Sequence, residues 1–171
     1  GLENKIENFH KIRFGFYGTS YAADGLGEET VMPIAKKYGV ESFVNEVTNR
    51  LPYYTSLSTL LHSDILFVPG SVDRNYTASK IFPYLMMKKP FFAIFNRNSS
   101  VVEILKKTKG GKVICFEDDS TAIELSNDVL DVLKKIVNRI PYESDVTQEA
   151  FDPYTAREMT KQQCQYFDYV V

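Results

Sequence analysis

The stretch from Asp64 to Phe95, DILFVPGSVDRNYTASKIFPYLMMKKPFFAIF, constrains the fold more than any other. An apolar run, Ile65-Leu66-Phe67-Val68, stops at Pro69-Gly70; a polar loop follows, then a predicted helix from about Thr77 to Met87, then a second apolar run, Phe91–Phe95. Neither run alternates with polar residues, which is the pattern of strands covered on both faces and joined by a helix crossover. In parallel sheets of this kind ligands sit beyond the carboxyl ends of the strands, so the loop Gly70–Ser79 is the first place to look for chemistry.

The flanking chain repeats the alternation. Ile12–Tyr17 and Val40–Val47 read as strands, with a helix over about Glu28–Tyr38 between them and a loop, Thr48–Tyr54, after the second. Thr55–His62 reads as a helix carrying Leu57, Leu60 and Leu61 on one face. Downstream, Ser99 or Ser100 opens a helix with Glu103 in a capping-box position, Val113–Phe116 is a fifth strand, and Thr121 with Glu124 opens a helix whose stripe is Ile123, Leu130, Leu133 and Ile136. Pro141 stops that helix, and Asp152-Pro153 starts a last one, to about Tyr169, carrying Tyr154, Met159, Tyr166 and Phe167. The expected fold is α/β: a three-layer, Rossmann-like α/β/α domain with an open parallel sheet of about five strands. The expected organisation is a disordered or tag-derived lead-in over 1–11, with Gly1 read as a cleavage scar. A domain over 12–140 and a helical extension over 141–171 follow, the extension packing back on the domain or on a missing N-terminal half.

Composition narrows the function classes. With 171 residues and a net charge of −2, and with no basic tract, nothing draws the chain toward nucleic acid. No apolar run reaches the roughly 20 residues of a membrane span, and two distant cysteines, Cys115 and Cys164, read as reduced thiols of a cytoplasmic protein.

Three loops are candidate binding elements. Beside the helix expected at Thr77, the amides of Ala78, Ser79 and Lys80 favour an anion, and the hydroxyls of Thr77 and Ser79 with the charges of Lys80 and Arg74 add donors for a diphosphate. An ordinary capped loop accounts for the same residues, so local features leave both readings open. Gly18-Thr19 ends the first strand, where glycine permits close approach of a ligand; a plain turn is the alternative. Arg50-Leu51-Pro52-Tyr53 leaves the second strand, where Tyr53 can wall a flat base and Arg50 can meet a carbonyl or phosphate, or the tyrosine simply packs under a loop. Asp24-Gly25-Leu26-Gly27 is no dinucleotide fingerprint, because Thr30 stands where the third glycine belongs and Glu28 and Glu29 repel phosphate. Glu117-Asp118-Asp119 fits acids before a helix better than a metal site, and His10 and His62 have no ligand spacing, so no metal is expected.

Leu66–Ser71, Tyr76–Leu85 and Lys89–Ala93, with Phe16–Thr19, Arg50–Tyr53 and Ser99–Val102 around them, resemble the donor-binding C-terminal half of bacterial glycosyltransferases of the two-Rossmann-domain (GT-B) type, related to glycosyltransferase group 1. The similarity spans about residues 12–105. It implies transfer of a sugar from a nucleotide diphosphate-sugar to an acceptor hydroxyl, with no cofactor beyond that donor. It places the diphosphate at Thr77, Ala78, Ser79 and Lys80, the rest of the donor cleft at Gly18, Thr19, Ser71, Arg74, Tyr76 and Tyr84, and the base at Arg50, Leu51, Pro52 and Tyr53. The acceptor glycan, lipid or small molecule, and any catalytic base, belong to an absent N-terminal half, so no catalytic residue is expected here and the chain alone is expected to be inactive. The full-length protein is then cytoplasmic or peripheral at the inner membrane. Three departures stand out: Pro83 occupies the place of a ribose-holding glutamate, the usual Arg/Lys pair of the first loop is missing, and five strands appear where such halves have six. The alternative is a non-catalytic nucleotide-binding or assembly domain of the same fold. A receiver domain is disfavoured, since Gly18-Thr19 and Pro69-Gly70 stand where its acidic residues belong.

Overall fold

Polar residues or glycine interrupt the first two strands, whereas the later ones are almost wholly apolar, and the architecture follows that difference. The computed structural model describes residues 6–23, 25–71, 73, 76, 78–138 and 145–170, and the chain divides into two compact units, Gly1–His62 and Ser63–Val171. The fold is α/β and Rossmann-like, with every strand pair parallel. The expected single sheet of about five strands is corrected to one sheet of two and one of three.

In the first unit β1 (Phe14–Tyr17) pairs with β2 (Val44–Val47), Phe14 opposite Val44 and Tyr17 opposite Val47. Gly15 in β1 and Asn45 in β2 are exposed, the alternation of strands covered on one face only. A 3-10 turn, Glu41–Phe43, replaces the first half of the expected second strand. Helix α1 is shorter than expected, Met32–Lys37, because Pro33 fits only its first turn. Helix α2 runs Tyr53–His62, two residues earlier than expected, and Leu61 on it is exposed. Residues 9–11 of the expected loose lead-in form a 3-10 turn with Phe9 buried; residues 1–5 lie outside the described residues.

In the second unit β3 (Leu66–Pro69), β4 (Phe91–Asn96) and β5 (Lys112–Phe116) lie in the order β3-β4-β5. Helix α3 (Ile81–Met86) crosses from β3 to β4, and α4 (Ser100–Thr108) from β4 to β5. The core gathers Leu66, Val68, Ile81, Leu85, Phe91, Phe92, Phe95, Val101, Leu105 and Ile114, and the rings of Phe67 and Phe92 stack at 4.5 Å. Ser99, rather than Ser100, caps α4 by accepting from the Val101 amide; Glu103 therefore falls beyond capping reach and pairs with Lys107 at 2.6 Å instead. Helix α5 (Ala122–Val137) begins at the expected capping box of Thr121 and Glu124. Its stripe buries Leu133 and Ile136, whereas Ile123, expected in that stripe, is exposed. Pro141 lies outside the described residues.

The C-terminal extension is more broken than expected. A short helix α6 (Gln148–Phe151), a 3-10 turn holding Pro153 (Asp152–Tyr154) and α7 (Ala156–Val170) replace one helix from Pro153, because Thr155 provides a new cap by accepting from the Glu158 amide at 3.3 Å. Val146 and Phe151 are buried, and the Tyr154 ring meets Phe82 at 5.7 Å, so this part packs on its own unit. From Lys161 to Tyr169 every residue of α7 is exposed. Among the described residues no helix is long and apolar enough to cross a membrane.

Candidate functional site

At the carboxyl edge of the second unit's sheet, β3 ends against β4 so closely that only glycine fits. The Gly70 amide donates to the Ile94 carbonyl at 2.6 Å, and a Cβ on Gly70 would lie 2.2 Å from that oxygen and 2.8 Å from the Phe95 ring. Packing alone thus accounts for the glycine of the PGS turn. Beyond it, Ser71 Oγ accepts from the Asp73 amide at 3.1 Å, the Tyr76 amide donates to the Asp73 carbonyl, and Ser99 Oγ donates to the Tyr76 carbonyl at 3.2 Å. The loop after β3 is therefore tied to the start of α4. The next strand ends are tied as well: the buried side chain of Asn96 donates to Asp118 at 3.2 Å and accepts from the Asn98 amide, and Arg97 pairs with Glu117 at 2.7 Å. Glu117 and Asp118, read from the sequence as acids before a helix, thus bind Arg97 just after β4 and Asn96 at its end.

The tied loop delivers Ala78, Ser79 and Lys80. Helix α3 begins at Ile81, four residues later than expected, after a turn in which Ile81 donates to the Ala78 carbonyl and Phe82 to the Ser79 carbonyl. Among the described residues, no backbone hydrogen bond starts from the amides of Ala78, Ser79 or Lys80. Ala78 is buried, while Ser79 and Lys80 are exposed, so two of the three donors belong to residues open to solvent. Pro83 is the third residue of α3, where its missing N–H falls within the first turn and costs little. Tyr76 is 39% exposed. The Tyr84 ring stands edge-on to Phe91 at 5.6 Å, and burial pushes its phenol up from the ordinary value. Arg74 and Thr77 lie outside the described residues.

The other candidates belong to the first unit. Gly18 has φ +68°, and its amide donates to the Val47 carbonyl at 2.8 Å, so the parallel ladder continues past β1. Thr19 Oγ1 donates to Glu46 Oε1 at 2.7 Å. Glu46, in β2, also accepts from the amides of Thr30, Val31 and Met32 at 3.0, 3.0 and 2.7 Å, and so caps the start of α1 from another element. Burial alone would raise its pKa, but the bonds from Thr30, Met32, Thr19 and Val31 outweigh that and hold it at about 2. An anion already stands at the start of α1, and it is the protein's own.

The loop after β1 lies on the loop after β2. Ser20 donates to the Thr48 carbonyl and Gly25 to Asn49 Oδ1 at 3.3 Å, and a Cβ on Gly27 would meet Thr48 at 2.8 Å and Ser20 at 2.9 Å. Gly25 and Gly27 thus serve loop packing; Asp24 lies outside the described residues. Arg50 passes over Gly18, with Cα and Cγ 3.6 Å from where a Cβ there would be, and lays its guanidinium 4.8 Å from the centre of the Tyr21 ring. Leu51 is half-buried, its carbonyl accepting from Ser56 Oγ; the Pro52 carbonyl accepts the Ser56 amide as α2 begins, and Tyr53 is 70% exposed beside Tyr54. Glu46, Asn96 and Tyr21 escaped the reading of the sequence. A lone acid inside the strand-like run VNEV was the only signal for the first, and nothing local marked the others.

The candidates Gly18, Thr19 and Arg50–Tyr53 therefore belong to one unit, and Ser71, Tyr76, Ala78–Lys80 and Tyr84 to the other. Among the described residues no group of three or more His, Cys, Asp or Glu side chains is placed to hold a metal ion, and both cysteines are free thiols. In comparisons with protein-family models, curated proteins and solved structures, the chain matched none.

Proposed function

We propose that this chain is the donor-binding half of a GT-B glycosyltransferase, which moves a sugar from a nucleotide diphosphate-sugar to an acceptor hydroxyl. The supporting observation is the turn after β3: two exposed residues, Ser79 and Lys80, one of them carrying an ammonium, whose amides start no backbone hydrogen bond among the described residues, at the carboxyl edge of a parallel sheet. Main-chain donors held by the surrounding hydrogen bonds suit a diphosphate, and they stabilise the charge that grows on it as the sugar departs. Lys80 adds a mobile point charge. The start of α1 is closed to phosphate by Glu46, which fits the missing Arg/Lys pair of the first loop and leaves the β3–α3 turn as the diphosphate site on this reading. The acceptor and the catalytic base belong to a second Rossmann-like half, and the donor pool places the enzyme in the cytoplasm.

Titration of the chain with UDP and GDP, followed by amide chemical shifts, tests the reading. Shifts are expected over residues 76–84, and Lys80→Ala is expected to weaken binding about tenfold, the equivalent of roughly 1.4 kcal/mol for a charge-assisted contact. Absence of any shift there would remove the proposal's physical basis. Binding without turnover in the full-length protein, over a panel of donors, would favour the non-catalytic alternative.

A further inference from the structure

We infer that the amino edge of the second unit's sheet is a docking face for an anionic lipid bilayer, built by Lys88, Lys89, Lys106, Lys109 and Lys112 and independent of the donor-binding reading. Two turns make it: MMKKP leads from α3 into β4, and KKTKGGK ends α4 and starts β5. The lysines are scattered in sequence, and the register that sets Lys112 opposite Phe92 gathers them. Glycines press the turns together: a Cβ on Gly110 would collide with the Leu85 side chain of α3, and one on Gly111 would lie 2.6 Å from the Phe91 carbonyl oxygen. Lys88, Lys106, Lys109 and Lys112 are exposed and Lys89 is half-buried; among the described residues none of the five has a side-chain hydrogen bond or ion pair. Lys107 is matched by Glu103. Asp64, level with Lys89, and Asp145, next to the Val146 that meets Gly110, leave the lysines in excess. Lys88 and Lys109 both have φ +52°, in the left-handed cap conformation that glycine normally fills. Helix dipoles favour lysine in a last turn but give no reason for a strained one. Strain repeated at one edge, with charge that the fold leaves unpaired, points to a ligand outside the fold. A flat anionic surface fits better than a nucleic acid, because neither turn holds an arginine to grip phosphate or an aromatic ring to stack a base. Point charges suffice for the potential of a lipid surface, and Met86, 64% exposed at the end of α3, adds an apolar side chain beside them. At the opposite edge Glu117, Asp118 and Asp119 follow β5 and are repelled by the same surface, so the turn after β3 faces away from the lipid.

The test is cosedimentation of the whole chain with vesicles of phosphatidylcholine alone and of phosphatidylcholine and phosphatidylglycerol in equal parts, alongside a gel shift with polyuridylate. Binding is expected to the mixed vesicles only, and it should weaken as salt is added. Lys88→Gly with Lys109→Gly removes two charges and two strained side chains. Vesicle binding should then fall about twentyfold, at about fivefold per lysine, while the urea midpoint stays level or rises. Lys88→Arg with Lys109→Arg should bind like the natural chain. Lys89→Gln with Lys112→Gln, which leaves both cap positions alone, should show a loss like that of the glycine pair, and it decides the matter if the glycine pair lowers the midpoint. None of these changes should alter the UDP titration, so the lipid face and the donor turn stand or fall separately. No binding to mixed vesicles, equal binding to phosphatidylcholine alone, polyuridylate bound in place of vesicles, or undiminished vesicle binding by the glutamine pair would each overturn the lipid face.

Discussion

At the residue scale Glu46 carries the clearest electrostatic consequence. One carboxylate receives the Thr19 hydroxyl and the amides of Thr30, Val31 and Met32, joining β2 to the loop after β1 and to the start of α1. Its pKa falls from the usual carboxylate range to about 2 in the fold. The ionised form is therefore the one the fold prefers, so the stabilisation is complete above roughly pH 4.3, the unfolded value, and is lost as the pH falls toward 2. Glu46→Gln should lose about 1–2 kcal/mol at pH 7, allowing for solvent screening of a half-buried group. In urea titrations the gap to the natural chain should shrink steadily between pH 4.5 and 2.5; a gap independent of pH would show that shape, not charge, makes the cap. Gly70 is a steric counterpart. Its neighbour is a backbone carbonyl inside a sheet ladder, which cannot step aside, so Gly70→Ala should cost about 3 kcal/mol or more in the same assay. Gly70 was legible as the end of a strand. Its contact with Ile94 was not, because the register of β3 on β4 is absent from any local pattern.

At the element scale, helix starts separate what local sequence decides from what packing decides. The Thr121 and Glu124 side chains satisfy each other's backbone within four residues, and that pattern was readable without the fold. At α4 the sequence left Ser99 and Ser100 both open as the start, because the choice of Ser99 as cap is reinforced from outside the helix, by its bond to the Tyr76 carbonyl. A measurable difference follows. Thr121→Ala, at an exposed cap, should cost about 1 kcal/mol. Ser99→Ala should cost more, about 2 kcal/mol, since a buried hydroxyl there both caps α4 and holds the loop after β3. Equal costs in denaturant unfolding would mean that the loop tie contributes nothing. The same logic applies to the candidate loops: the glycine turns and the Ala78–Lys80 turn follow from strand–turn–helix punctuation, whereas Glu46 becomes the cap of α1 only when the register of β1 on β2 brings it beside the loop after β1.

At the scale of the whole molecule, burial is unevenly divided. Among the described residues Phe9 and Ala35 are the buried hydrophobic side chains of the first unit, and all the others lie in the second. Five parallel strands were readable from apolar runs, but their partition was not, since it depends on how completely each strand is covered. A unit of about 60 residues is marginal even with a full core, while residues 63–171 contain three paired strands, helices α3 and α4 crossing between them, and a buried phenylalanine cluster. Residues 63–171 expressed alone should therefore unfold cooperatively in urea, and residues 1–62 alone should not. In the intact chain, amide exchange should be slowest in β4, whose residues are almost all buried and paired on both edges, and faster in β1 and β2. A first unit that folds alone with a sharp transition would show that the carboxylate of Glu46 and the donors around it supply cohesion that apolar burial there does not.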